Sequence, residues 1–141
     1  MRNLIAQHHG FSLLELLLVV ALIGIIAAIG TPVYLGHVDN AKRVDAKNSL
    51  SAIAMKQEQY LANGGDPGTG SYHISANAVC SNATTVALQT ALFGLQSSLS
   101  TDFYFYCTAV TANGYIASAC NRSDAADCYT LDNLNNKSAN W

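Results

Sequence analysis

Apolar residues run almost without a break from Phe11 to Gly30, and the only charge in this run is the carboxylate of Glu15. A membrane-spanning helix needs about 20 mostly apolar residues, so the run is long enough to cross a bilayer. A charge inside such a segment costs about 2.5 to 3.5 kcal/mol on the insertion scale and usually marks a function. The pattern therefore predicts a transmembrane helix whose acid needs a cationic partner. The alternative is a helix-end Glu15 that reaches the lipid headgroups.

Beyond Pro32 the pattern changes to that of an amphipathic helix, which we expect to continue to about Ala62. Its inner face is expected to carry side chains that recur at steps of three to five residues. These are Val38, Ala41, Ala46, Leu50, Ile53, Gln57 and Tyr60. Turn-forming residues from Asn63 to Gly68 then end the helix. This half of the helix can lay its face on a small sheet.

Three later segments predict the strands of that sheet. They are Phe103–Val110, Tyr115–Cys120 and Cys128–Asn133, and a short helix from Thr85 to Leu95 precedes them. Asn113-Gly114 is a strong signal for a two-residue hairpin turn, so the sheet is expected to be antiparallel. The predicted fold class is α+β, with a long N-terminal α-helix packed on a small antiparallel β-sheet.

The first strand is rich in aromatic residues, and period-2 alternation divides them between its two faces. The side chains expected to face the helix are Phe103, Phe105, Cys107 and Ile116. Tyr104 and Tyr106 would then point outward with their hydroxyls in water.

The residues in front of the apolar run suggest how the chain is processed. A secretory signal peptide places its small residues after the apolar core, whereas here Gly10 comes before it. Cutting between Gly10 and Phe11 keeps the apolar helix and frees an α-amino group four residues from Glu15. Within one helix both groups lie at the N-terminal end, where the macrodipole favours the acid and disfavours the amine. Pairing across two molecules staggered by about one turn gives each charge a partner.

The sequence at this point resembles the type IV pilin family, which includes the related type II secretion pseudopilins. The residues that match are Gly10, Phe11, Ser12, Leu13, Leu14, Glu15, Leu16, the apolar run that follows, Gly24, Pro32 and Tyr34. The resemblance implies cleavage after Gly10 by a prepilin peptidase and N-methylation of Phe11. It also implies that Glu15 contacts the Phe11 amine of an adjacent subunit during extrusion from the inner membrane.

The family resemblance also implies a flexible stretch in the helix and a division of the chain. The segment from Gly24 to Pro32 can unwind in the filaments of the family, and Gly24, Gly30 and Pro32 are weak helix formers here. We expect a leader peptide at 1–10, a transmembrane and polymerisation helix at 11–32, an amphipathic half at 33–62 and a globular head at 63–141.

The partners implied are other pilin subunits of the same or another kind, the prepilin peptidase, the inner-membrane assembly platform, and the lipid bilayer before assembly. The expected location is the bacterial inner membrane and then an extracellular pilus filament. A filament that serves adhesion, motility or uptake is the leading function. A type II secretion pseudopilin is one alternative, and a DNA-uptake pilin is another.

Charge argues against nucleic-acid binding. The chain has 141 residues, enough for one domain, and 11% of them are charged. Loss of residues 1–10 removes Arg2 and leaves six Lys or Arg against nine Asp or Glu, a formal charge of −3. After Lys56 only Arg122 and Lys137 are basic, so a DNA-uptake role ranks below a structural one.

Four cysteines follow the apolar run, and their even number in an exported chain predicts two disulfides. One arrangement pairs Cys120 with Cys128 and Cys80 with Cys107. Its main rival pairs Cys107 with Cys120, which a two-residue turn at Asn113-Gly114 would place directly opposite each other. Directly opposed residues make a strained bridge, and stapled C-terminal loops are common in pilins, so we favour the first arrangement and keep the rival open.

No enzyme, metal or cofactor is expected. The sequence has no CxxC pair, and neither His37 nor His73 has a partner at ligand spacing. No nucleophile and base occur in a local catalytic pattern.

Overall fold

The computed structural model describes residues 11–66, 71–75, 79–94, 98–138 and 141. In chain order its elements are α1 (Leu13–Ala62), α2 (Asn82–Phe93), β1 (Tyr104–Thr111), β2 (Gly114–Asn121) and β3 (Cys128–Asp132). The strands form one antiparallel sheet in the order β1-β2-β3. The predicted α+β class is confirmed. The expected leader at 1–10 lies outside the described residues.

The chain divides into two compact units, Met1–Asn40 and Ala41–Trp141. In the second unit, the inner face of α1 buries four residues that recur at helical spacing: Ala46, Leu50, Ile53 and Gln57. They match the predicted stripe, but Ala41 is exposed and Tyr60 is only half-buried. The helix ends as expected: the Gly65 N–H donates to the Tyr60 carbonyl at 3.0 Å, and Gly64 and Gly65 have φ angles of 110° and 65°.

The hairpin between β1 and β2 differs from its prediction by a shift in register. Thr111 pairs with Gly114, so the turn residues are Ala112 and Asn113, and the predicted Asn113-Gly114 turn is wrong. Gly114 instead opens β2 at a φ of 155°, and a Cβ there would overlap the Asn133 side chain. The glycine is therefore needed for a close approach between two segments and not as the second turn residue.

The predicted faces of β1 are also wrong. Tyr104 and Tyr106 point into the core and are 4% and 1% exposed, whereas Phe103 is 46% exposed. Both sets of alternate residues in this stretch are aromatic, so alternation could not distinguish the faces. The inner face of β1 instead lies beside the buried side chains of the neighbouring strands. These are Tyr115, Ala117 and Ala119 on β2 and Tyr129 and Leu131 on β3.

Helix α2 starts three residues earlier than predicted because Ser81 and Thr84 form a capping box. The Thr84 N–H donates to Ser81 Oγ at 3.2 Å, and the Ser81 N–H donates to Thr84 Oγ1 at 2.8 Å. The helix ends at Phe93, and the predicted end at Leu95 lies outside the described residues.

Side chains cover the outer edge of β1. The Tyr106 N–H donates to Thr85 Oγ1 at 2.8 Å, and the Thr108 N–H donates to Ser75 Oγ at 3.0 Å. The outer edge of β3 is covered by the C-terminal segment, since the Ser138 N–H donates to the Thr130 carbonyl at 3.1 Å. Both edges of the sheet therefore have bonded backbone groups, which opposes edge-to-edge pairing with other chains.

Two disulfides link Cys80 to Cys107 and Cys120 to Cys128. Cys107 lies opposite Ser118 in the β1–β2 register, so the opposed geometry that the rival pairing needed is not formed. Cys120 and Cys128 are themselves opposed, with Cα atoms 4.1 Å apart, so direct opposition was the wrong reason to favour this pairing. The register of the β1–β2 hairpin therefore decides between the two disulfide pairings, because it places Cys107 opposite Ser118 and not opposite Cys120.

A buried side-chain amide on α1 forms hydrogen bonds with the segment 71–75, which lies along β1. The Gln57 side chain is fully buried; its Nε2 donates to the His73 carbonyl at 2.6 Å and its Oε1 accepts the His73 N–H at 2.9 Å. The same carbonyl also accepts a hydrogen bond from Thr108 Oγ1 at 3.0 Å. Gln57 therefore gives the His73 N–H its acceptor and shares the His73 carbonyl with Thr108.

We predict that Gln57→Leu lowers the free energy of unfolding by about 1 to 3 kcal/mol, because the His73 N–H loses its acceptor. The measurement is denaturant unfolding of the mature protein in detergent. Gln59→Leu is the matched control, since Gln59 is exposed on the same helix and its replacement is expected to change stability by less than about 0.5 kcal/mol. Equal effects of the two variants would contradict the account of Gln57.

The buried tyrosines predict a loss of stability at alkaline pH. Burial, reinforced by the charge of Asp127, raises the pKa of Tyr104 to about 12, and burial reinforced by Glu58 raises the pKa of Tyr115 to about 12. Tyrosines in the unfolded chain ionise near pH 10, about two pH units lower. The contribution of these groups is therefore complete below pH 10 and is lost as the pH rises from about 10 towards 12.

We accordingly expect the unfolding midpoint of the mature protein to fall over this range and to fall less steeply in Tyr104→Phe, which cannot ionise at that position. Thermal unfolding at pH 8 to 11.5 measures the difference in slope. Parallel profiles for wild type and Tyr104→Phe would show that Tyr104 ionisation does not limit alkaline stability.

Candidate functional site

The start of α1 is organised by Ser12 and Glu15. The Leu14 N–H donates to Ser12 Oγ at 3.3 Å, and the Glu15 N–H donates to the Ser12 carbonyl at 3.1 Å. Ser12 and Glu15 have the Ser-x-x-Glu spacing of a capping box, a sequence signal that the interpretation of Glu15 as a charge needing a partner had missed. An acid in the first turn also complements the helix macrodipole.

The apolar surface of α1 is uncovered in the single chain. Every residue from 11 to 37 is exposed, including Phe11 at 82% and Leu14 at 76%. Within the described residues, α1 is the one helix that is long and apolar enough to cross a membrane. An apolar surface of this extent marks a contact with lipid or with another protein.

The predicted weak points of α1 are helical in this structure. The helix continues through Gly24, Gly30 and Pro32, and a Cβ added at either glycine would meet nothing within 4 Å. Pro32 offers no N–H to the carbonyl four residues earlier, while Thr31 Oγ1 donates to the Ala27 carbonyl at 2.8 Å. Unwinding of this segment in a filament stays a prediction.

The cations of the second unit are mostly placed over aromatic rings. The pairs are Lys42 with Phe103, Lys47 with Tyr129, Lys56 with Phe93, Arg122 with Phe105 and Lys137 with Trp141, at 4.4 to 5.9 Å from the ring centroids. The Arg122 guanidinium also donates to the carbonyls of Thr101 and Asp102 at 3.0 and 3.3 Å. Both cations that follow Lys56 in the sequence are thus engaged within the chain, which gives no support to nucleic-acid binding.

Of the four histidines, the structure describes His37 and His73. His73 Nδ1 lies 3.6 Å from Asp66 Oδ1, and His37 is exposed. Across the described ranges, no group of three or more His, Cys, Asp or Glu is arranged to hold a metal ion.

Comparison with known proteins places the similarity in the N-terminal part of the chain. Residues 5–31 match the family model of the prokaryotic N-terminal methylation motif, a range that includes Gly10, Phe11 and Glu15. No solved structure shows a significant match to the chain.

Three relatives match over 54 to 61 residues. Type IV major pilin protein PilA of Myxococcus xanthus is 38% identical over 40% of this chain and 26% of its own length. Fimbrial protein EcpB of Eikenella corrodens is 41% identical over 43% and 38%, and the type II secretion system core protein G of Pseudomonas aeruginosa is 39% identical over 38% and 38%. The chain thus spans about a quarter to two fifths of the length of these relatives.

The capped apolar helix with its acid in the first turn coincides with this match. The N-terminal segment therefore has the prokaryotic N-terminal methylation motif, and the chain is similar over part of its length to a type IV major pilin, a fimbrial protein and a type II secretion system core protein.

Proposed function

We propose that this chain is a structural subunit of a type IV pilus and polymerises through the apolar first half of α1. The observation that carries the proposal is an apolar helix with exposed side chains and a carboxylate in its first turn, in a chain that has the N-terminal methylation motif. In the bacterial inner membrane, lipid covers this surface. After extrusion, the helices of other subunits cover it in an extracellular filament for adhesion, motility or uptake.

The pattern of apolar and polar residues suggests four segments. Residues 1–10 are a leader removed by a prepilin peptidase, 11–32 are the transmembrane and polymerisation helix, 33–62 are the amphipathic half, and 63–141 form the head. Cleavage after Gly10 makes Phe11 the N-terminal residue, and methylation of its amine keeps the positive charge there.

Glu15 has its function between subunits. Its backbone N–H is bonded to Ser12 within the chain, but no hydrogen bond or ion pair involves its carboxylate within the described residues. Burial of this charge in a filament is unfavourable without a cation. The Phe11 amine of an adjacent copy, shifted by about one helical turn, supplies that cation, and the inner-membrane assembly platform adds the copies in turn.

The type II secretion pseudopilin is the second candidate, and the match to core protein G favours it. The two functions use the same helix. Two disulfides in the head favour the pilus, since each stabilises a small domain by about 2 to 4 kcal/mol, and a surface fibre is exposed to shear and proteolysis.

The processing step predicts that the mature protein starts at a methylated Phe11. Intact mass measurement of filament protein tests this, and protein that retains residues 1–10 would contradict it. Gly10→Val is expected to leave the uncleaved precursor in the membrane because a branched side chain replaces the small residue at the cut. Gly30→Val, at the other end of the apolar run, is the control and should be cleaved normally.

Removal of the Glu15 charge tests the assembly step. We expect Glu15→Gln to be cleaved normally and to insert into the membrane more easily, but to lose the electrostatic guide for docking. Cleaved monomer then accumulates in the inner membrane. Filaments become much fewer if this is the major subunit, and otherwise they lack this subunit alone.

The readout is an immunoblot of sheared filaments against membranes. Asp45→Asn is the control because it removes an exposed acid from the same helix, and it should leave the ratio of filament to membrane protein unchanged. If Glu15→Gln entered filaments as well as wild type does, Glu15 would be only a helix-end residue that reaches the lipid headgroups.

A further inference from the structure

An acid-lined cavity lies between α1 and the β2–β3 end of the sheet in the second unit. Its volume is about 320 Å³. Ala54, Met55 and Leu131 give it apolar walls, and Glu58 and Asp132 are the charged residues that line it. Among the residues that line the cavity there is no Lys or Arg. The cavity therefore fits a cation carried on an aliphatic stem.

Neither carboxylate is neutralised by a cation within the described residues. Glu58 accepts a hydrogen bond from the Tyr72 hydroxyl at 3.1 Å, and Asp132 accepts the N–H groups of Leu134 and Asn136 at 2.9 and 2.7 Å. Both charges act on the cavity: burial is the largest cause of the raised pKa of Tyr115, and Glu58 and Asp132 raise it further. The described part of the chain thus supplies no cation to the two carboxylates at this cavity.

Arg43 differs from the other cations of the second unit in the described part of the chain. The other five Lys and Arg of the second unit lie over aromatic rings. Arg43 is exposed, and within the described part of the chain it lies over no aromatic ring. Its charge acts on Tyr104, whose pKa it lowers against the larger effect of burial, but its exposed guanidinium stays open to a partner from another copy. Its planar group can bond two carboxylates through separate N–H donors, which a Lys ammonium does less well.

Distance prevents Arg43 from reaching the cavity of its own chain. Arg43 and Glu58 are 15 residues apart on α1, which at about 1.5 Å per residue is about 22 Å along the helix. Two parallel copies shifted by about this length bring Arg43 of one level with Glu58 of the other. The contact uses different patches on the two copies, so it is heterologous and repeats along an open helical filament.

We infer that the cavity binds the Arg43 side chain of a second copy of this chain. The aliphatic stem lies against Ala54, Met55 and Leu131, and the guanidinium meets Glu58 and Asp132. The inference rests on the proposed polymerisation. It concerns a different neighbour from the one that supplies the Phe11 amine to Glu15, because that pair requires a shift of about one turn only.

Charge reversal in the full chain, expressed in its own cell in place of the wild type, tests the contact. We expect Arg43→Glu and Glu58→Arg each to lower the yield of sheared filaments about tenfold, which corresponds to a loss of about 1.4 kcal/mol per contact. The double variant again places an acid opposite a base, with the two charges exchanged, and should return the filament yield to within about threefold of wild type. Asp124→Arg, which reverses an exposed acid outside the cavity, is the control and should assemble normally.

Cysteine trapping gives a second readout that does not depend on filament yield. With Arg43→Cys and Glu58→Cys in the same chain, oxidised filaments should show a ladder of disulfide-linked oligomers on non-reducing gels, and either cysteine alone should not. Glu58→Gln, which keeps an acceptor for the Tyr72 hydroxyl, should show an intermediate loss of filaments and controls for misfolding of Glu58→Arg.

Three results would overturn the inference. Arg43→Glu could assemble as wild type does, which would mean that another cation or none fills the cavity. The double variant could remain as defective as the single variants. The double-cysteine chain could form filaments without a ladder. Each of these leaves the polymerisation proposal standing, because that proposal fails only if the wild-type chain is absent from filaments.

Discussion

The structure depends on one constraint: an apolar helical surface that water does not tolerate and that the chain itself does not cover. The exposed side chains from Phe11 to Leu35 need lipid or protein around them. Because lipid tails are as apolar as the helix, the proposed transfer from bilayer to filament would gain little from apolar burial. In that proposal, a polar interaction that is strong away from water, the pairing of Glu15 with an amine, decides which copies associate and at what stagger.

The second unit shows how a small sheet becomes stable enough to be carried on such a helix. Three strands alone make a limited core, so the core also takes side chains from α1: Tyr106 and Tyr115 of the sheet and Leu50 of the helix are all buried. Hydroxyl and backbone groups bond both outer strand edges, and two disulfides restrict the unfolded chain. Bonded edges also reduce pairing between sheets, which leaves side-chain contacts and the helix to determine how copies meet.

Much of this architecture could be predicted from residue pattern because helix periodicity is strong over long segments. The buried positions Leu50, Ile53 and Gln57 follow from spacing alone. The faces of β1 could not be predicted, since Phe103 and Tyr104 are both aromatic and only the neighbouring strands decide which one is buried. The hairpin register depended on a contact between Gly114 and Asn133, which are distant in sequence.

At the candidate site, the sequence identified Glu15 from the apolar run around it. The Ser12 cap is also readable from sequence, because Ser12 and Glu15 have the Ser-x-x-Glu spacing of a helix start. The cavity at Glu58 and Asp132 joins a helix to the end of a strand, and no sequence pattern connects residues so far apart.

Electron cryomicroscopy of filaments that contain this subunit is the most direct measurement. The account predicts that the first halves of α1 lie inside the filament, with the Glu15 carboxylate within about 3 Å of the Phe11 amine of a neighbouring copy, as in a charge-assisted hydrogen bond. Filaments with these helices on the outer surface, or with a buried Glu15 that no cation approaches, would contradict it.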